Sequence, residues 1–597
     1  MLTTSDFYTG AFPAEFGNAA AGVFDIRLKN GNNERHEYTM QLGMLGAELF
    51  GEGPLGKNTK ASYVFNYRYA TLEGLVKMGI NLGTTAVPKY QDFQFKMNFP
   101  MKNGDNLALF GIGGYSSIDF MTSTVKKPSS EDIYAFKDQD ENFKAGLGMI
   151  GLTYTHRVSD REYSKVSMGF STQYSQDNFT RIVRHVDSVS GEYVVDTSYH
   201  KQDYKFYPNR YTFSFLRNNK ISARSFIRYG VITEMYQPNY HFKILLEPAY
   251  NPALTDFKWQ QGLNVNKEFH LLFQPYMQWK YTLSEKVSTI LGLHTQYFTL
   301  NHSWSIEPRF SIKYQFKPNQ SLAFATGLYS QMLPLYQYFT LDASGNQTNK
   351  NLDFIRSFHA VAGYDVFFRK DVRIKVEAYF QLLYNLPVER ISSSYNMLNE
   401  GSGFDLFFPG KLVNKGLGRN IGVELTLEKF FTHNWFIMFT GSLYDSKLQG
   451  SNGIWYNSSY NGQYMLNLLG TKEFKWGKKR LNTIGLGGKV TFGGGLRYTP
   501  YDTTLSKLQE TPVVVDGERN QFQFKPYFRF DVKLSYRCNT RRFTHEVGID
   551  IVNVTGQKNV LRVDYINPQT PAKLVYQLGF LPLFYYRLDF WLGKKDW

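Results

Sequence analysis

Leu583-Phe584-Tyr585-Tyr586-Arg587-Leu588-Asp589-Phe590-Trp591, close to the C-terminus of the 597-residue chain, decides how the rest is read. Successive side chains of a strand point to opposite faces. Phe584, Tyr586, Leu588 and Phe590 therefore share one face, while Tyr585, Arg587, Asp589 and Trp591 share the other. The apolar face needs a second sheet, as in a soluble sandwich, or lipid, as in a transmembrane barrel whose wet interior would take Arg587 and Asp589. How often the pattern recurs, and what joins the copies, separates the two.

It recurs throughout the chain. Val372, Ile374, Val376, Ala378 and Phe380 oppose Arg373, Lys375, Glu377, Tyr379 and Gln381. Ile421, Val423, Leu425 and Leu427 alternate with Gly422, Glu424, Thr426 and Glu428, and Phe528, Phe530, Val532 and Leu534 with Arg529, Asp531, Lys533 and Ser535. One face is apolar and the other carries charge each time, which favours lipid outside and water inside. The connections fall into two alternating classes. Short turns are expected near residues 53–56, 102–105, 159–161, 217–220, 284–286, 317–319, 369–371, 432–434, 477–480 and 539–541. Between them come longer connections (70–90, 121–142, 184–198, 237–268, 331–355, 387–417, 448–460, 494–525 and 556–582) and two tight ones near Leu45 and Asn301. Such a series joins about 22 antiparallel strands, with short turns on the periplasmic side and long loops outside. Barrels of about that size hold a plug. The fold class expected is all-β: one large antiparallel transmembrane barrel over residues 35–597.

Composition agrees. Aromatics make up 17% of the chain, with 43 Tyr and 50 Phe, which suits strands and interfacial girdles. No apolar run reaches the ~18 residues of a membrane helix. The formal charge of +16 is scattered, without a basic helix or tract, so nucleic acid is not an expected partner. Cys538 is alone, which excludes an internal disulfide framework and a cysteine zinc cluster.

Enzyme signatures fail on inspection. Gly51-Glu52-Gly53-Pro54-Leu55-Gly56-Lys57-Asn58 imitates a phosphate loop but lacks the Ser or Thr for magnesium and precedes a strand, not a helix. The 11 histidines form no His-Glu-Xaa-Xaa-His arrangement. Asp531 and Asp589 as wall neighbours would be members of an ion-pair ladder before they would be an acid–base pair, since their strands also carry arginine. No enzyme activity, cofactor or metal is expected. Arg373, Lys375, Glu377, Glu424, Arg529, Asp531, Lys533, Arg587 and Asp589 are expected to line the lumen. Trp259, Tyr336, Tyr338, Tyr395 and Trp455, in connections, are candidates for stacking on a ligand, with loop anchoring or a girdle role as the plainer reading.

The N-terminus adds specificity. Phe7-Tyr8-Thr9-Gly10-Ala11-Phe12-Pro13-Ala14-Glu15-Phe16-Gly17-Asn18, followed by Gly22-Val23-Phe24-Asp25-Ile26-Arg27-Leu28-Lys29-Asn30-Gly31, resembles the end of the plug domain of TonB-dependent outer-membrane receptors of the Bacteroidetes type. Three later stretches, residues 476–479, 487–500 and 526–531, look like the closing hairpins of the same family. The resemblance implies that residues 1–34 are the C-terminal tail of a plug, with Phe12, Pro13, Glu15, Phe16, Gly17, Gly22, Arg27 and Lys29 inside the lumen. Phe12, Phe16, Val23 and Ile26 would there be shielded, and Arg27 and Lys29 would meet carboxylates such as Glu377, Glu424 and Asp531. It also implies outer-membrane localisation, contact with outer-membrane lipid, and active uptake of a scarce nutrient: a siderophore, vitamin, glycan or peptide. The TonB–ExbB–ExbD complex would supply the energy through an N-terminal box. That box, most plug strands and a secretory signal are missing from the sequence, so an N-terminal truncation is expected. The compact loops give no reason to expect a lipoprotein partner. The rivals are a surface adhesin or lectin of stacked sheets, and a passive porin, against which the segment from Phe12 to Gly31 argues.

Overall fold

The stretch from Leu581 to Leu592 forms a strand that pairs on one side with Phe543–Val552 and on the other with His36–Gly43. Tyr585 stands opposite Gly548 in the first of these ladders and opposite Gly43 in the second. The last strand thus meets the first, and the sheet closes with no free edge.

The structure, a computed structural model, describes residues 1–592 except 58, 73–85, 87, 128–137, 247–257, 343, 400–409, 478–481, 510–512 and 565–572. Most of the expected turn at 477–480 and of the expected connection 70–90 lies outside the described residues. The barrel has 22 antiparallel strands. This excludes a pore-less adhesin of stacked sheets. Short turns such as 285–286 and 433–434 gather at one end, and the longer connections at the other. His433 and Asn434 both take positive φ, 54° and 62°, which lets two residues reverse the chain in step with strand twist.

Alternation sets the two faces. Phe584 and Tyr586 are exposed on the outer wall, as are Val423, Leu425, Leu486 and Leu534, while their sequence neighbours turn inward. The short turn expected at 217–220 lies elsewhere. Asn209–Lys220 is a strand, Asn218 is buried opposite Arg228, and the chain reverses at 221–224. Polar residues at a strand's end resemble a turn in sequence. The expected connection 184–198 is also displaced: Glu162–Val186 runs on past the barrel and pairs with Tyr193–Phe206, and the hairpin of Tyr240–Leu246 with Lys258–Val265 extends that sheet.

Among the described residues, an apolar core gathers where these extensions and the long connections meet the adjoining ends of the barrel strands. Leu263, Phe298, Leu333, Tyr338, Phe339, Phe354 and Leu386 are essentially inaccessible there. Each such side chain contributes about 1.5–3 kcal/mol on burial. The loop end is therefore a packed body and not a fringe of separate loops.

Candidate functional site

Strand register builds the site. Arg228 lies opposite Gln278, Gln278 opposite Gly292, Gly292 opposite Arg309, Arg309 opposite Gly327, Gly327 opposite His359, and His359 opposite Gln381. These seven residues come from seven neighbouring strands and form one row across the wall. Directly opposed residues share a face, so the row presents polar groups and glycine gaps to one side. The N-terminal segment lies along it.

Contacts run along the row in sequence order. Gln381 Nε2 donates to the Thr9 carbonyl at 3.2 Å, and the Ala11 N–H donates to His359 Nδ1 at 3.2 Å. The Arg309 guanidinium donates to the carbonyls of Phe12 (3.4 Å) and Phe16 (2.6 Å), and to that of Pro13. The Ala14 N–H donates to Gln278 Oε1 at 3.2 Å, and Glu15 is ion-paired with Arg228. Beside the row, His294 Nδ1 donates to the Ala14 carbonyl at 2.8 Å, and within it His359 Nε2 donates to that of Ala20 at 3.0 Å. Accepting at Nδ1 and donating at Nε2 makes the His359 imidazole neutral, and the bond to Ala14 puts a proton on Nδ1 of His294. The Phe12 ring, 1% exposed, packs on Tyr329 at 4.2 Å between centroids and lies 4.9 Å from the Arg309 guanidinium carbon.

Arg309 is held by Glu307 at 2.7 Å, with side chains 5% and 2% exposed. Glu307 also accepts from Gln296 at 2.7 Å, from Ser305 at 2.8 Å and from Ser330. A buried ion pair is tolerated only where such bonds satisfy it. Glycine makes the seat: a β-carbon at Gly17 would overlap the His294 ring, and one at Gly292 would stand 2.9 Å from that of Ala14. Gly17→Ala is expected to unseat residues 14–20, read as faster amide exchange at Ala14 and Ala20 with the barrel intact.

The expected lumen residues form local pairs instead of one site. Arg373 pairs with Asp365 at 2.5 Å, Lys375 with Glu377 at 2.6 Å, Arg529 with Asp531 at 2.7 Å, Lys533 with Asp550 at 3.1 Å and Arg587 with Asp589 at 3.0 Å. Glu424 lies opposite Glu377 and borders a cavity of about 250 Å³ with Thr9, Tyr379 and Tyr444. Asp531 and Asp589 are not neighbours, because the strand Phe543–Val552 separates theirs. Arg27 pairs with Asp25 and Asp6 of its own segment, and Lys29 with Glu52 at 2.8 Å, so neither meets Glu377, Glu424 or Asp531. Ile26 is 59% exposed, contrary to its expected shielding, because Val23–Asp25 pairs only with Asp6–Tyr8. Gly22 closes on the Tyr8 carbonyl.

Among the connection aromatics, Tyr338 and Tyr395 are buried, so their ring faces are not open for stacking. Tyr336 packs against Phe206 at 5.9 Å. Trp259 and Trp455 are exposed, with Lys243 4.8 Å and Arg419 5.8 Å from their respective ring centroids.

A family model described as TonB dependent receptor-like, beta-barrel matches residues 48–554. The pyoverdine outer membrane receptor FpvA from Pseudomonas aeruginosa PAO1 has a similar structure, with a TM-score of 0.69 at 12% identity over 98% of this chain and 83% of that one. The outer membrane transporter YddB from Escherichia coli gives 0.67 at 11% over 98% and 84%. The siderophore receptor PiuA from Acinetobacter baumannii gives 0.64 at 12% over 96% and 84%. At these identities the likeness is one of fold. No curated protein matches the sequence.

Proposed function

Because the chain belongs to the TonB-dependent receptor family, whose barrel it carries in the outer membrane, we propose that it takes up a scarce nutrient actively, driven by the TonB–ExbB–ExbD complex. Residues 1–34 act in this reading as the tail of a plug domain and 35–597 as the barrel. The observation that carries it is the row from Arg228 to Gln381, which holds Thr9 to Glu15 against the wall. A segment bound in this way argues against an open passive channel. The nutrient is a siderophore, vitamin, glycan or peptide, and of the five candidate aromatics Trp259 and Trp455 are the exposed ones available to meet it. The likeness in fold to the siderophore receptor PiuA is the reason to test siderophores first.

Growth of a gene-deletion strain on single iron, vitamin and glycan sources tests the proposal. Loss of growth on one class, restored by the intact gene but not in a strain lacking TonB, is the expected result; equal growth on every source contradicts it. Orientation has its own check. With Cys538 replaced by serine, a membrane-impermeant maleimide should label Ser344→Cys on intact cells, and should reach Ser222→Cys, in the 221–224 turn, only after the envelope is opened.

A further inference from the structure

On the outer wall, Trp435, Lys472, Leu486 and Leu534 lie in one register row. The next row reads Ile437, Gly470, Gly488 and Val532. Two adjacent glycines where neighbouring rows carry large side chains leave a groove of about 570 Å³, walled by Trp435, Ile437, Leu486, Phe530 and Val532. Leu486 and Leu534, both 48% exposed, mark this as a lipid-facing surface. Lys472 closes one end, and its Nζ donates to the His433 carbonyl in the short turn at 3.2 Å. A lysine whose stem follows an apolar surface while its ammonium reaches the interface is placed to meet a headgroup. No carboxylate lies within ion-pair distance of Lys472 among the described residues, whereas nearby Lys429 is already paired with Asp371 at 3.4 Å.

We propose that this groove holds one phospholipid of the periplasmic leaflet, an acyl chain over Gly470 and Gly488 and the phosphate on Lys472. Short turns of such barrels are periplasmic, which fixes the leaflet. Charge complementarity between the ammonium and the phosphate selects a phospholipid over a neutral apolar occupant.

Native mass spectrometry of the detergent-purified barrel tests this. The wild type is expected to retain one phospholipid. Gly488→Leu fills the groove, and a β-carbon there meets nothing nearer than Phe530 at 3.7 Å, so the strand accepts it. That variant should lose the lipid, and Lys472→Gln should weaken retention about fivefold, the effect of one cation near an anionic surface. Ile150→Leu, on the outer face of the distant strand Gln139–Ser159, should leave retention unchanged. Wild-type retention in either groove variant overturns the proposal, as does loss in Ile150→Leu. If Gly488→Leu fails to assemble, Lys472→Gln decides the matter.

Discussion

Replacing Arg309 with alanine is expected to lower stability by about 3–5 kcal/mol, because Glu307 is then left charged and unpaired in a buried site. The carbonyls of Phe12, Pro13 and Phe16 lose their donor in the same step. A urea titration read by heat-modifiable gel migration gives the global cost, and amide exchange at Ala11, Ala14 and Ala20 gives the local one. The double change Arg309→Met with Glu307→Gln buries no charge and should recover much of the global loss. It should not recover protection at Ala11 and Ala14, since the guanidinium that clasps the turn is still missing. Full recovery of both would mean that the unpaired Glu307 charge, and not the loss of the clasp, unseats the segment when Arg309 is replaced alone.

Val423→Arg is the second large effect. Val423 is 48% exposed on the outer face, in mid-strand opposite Ala378 and Leu443, so the guanidinium would enter hydrocarbon. The cost expected is about 2–4 kcal/mol at the midplane. Glu424→Gln, one residue away on the inner face, should be neutral or mildly stabilising, because Glu424 stands directly opposite Glu377 and like charges so placed repel. Refolding titrations into lipid compare the two; a larger loss for Glu424→Gln would invert the assignment of faces.

The faces and the strand count are legible in the sequence because both are local. Alternation from Leu583 to Trp591, or from Val372 to Gln381, is a property of a single strand, and paired turn signals such as His433-Asn434 are consecutive residues. Errors arise where one local signal has two readings: the stretch 217–220 is polar enough for a turn yet continues a strand. The wall side of the site is not legible. Arg228, Gln278, Arg309, His359 and Gln381 meet only through register across six strand pairs, and a shift of one residue in any ladder would turn part of the row to the other face. Ser305-Ile306-Glu307-Pro308-Arg309 does carry the alternation that could flag Glu307 and Arg309 as inward-facing. Nothing in it announces the N-terminal segment as their partner. Tyr338 and Tyr395 take the plainer of their two readings, as anchors: connections are ordinarily exposed, whereas here they are packed into an apolar core.

Residues 9–16 are fixed to the barrel wall along one register row, and Ala14 with Gly292 tests this most directly. A β-carbon at Gly292 would stand 2.9 Å from that of Ala14, near enough for a disulfide after a small shift. In the Ala14→Cys/Gly292→Cys variant, with Cys538 replaced by serine, peptide mapping of outer membranes under non-reducing conditions should find the peptide containing residue 14 joined to the one containing residue 292. Two free thiols after mild oxidation, in a barrel that still shows heat-modifiable migration, would contradict this attachment.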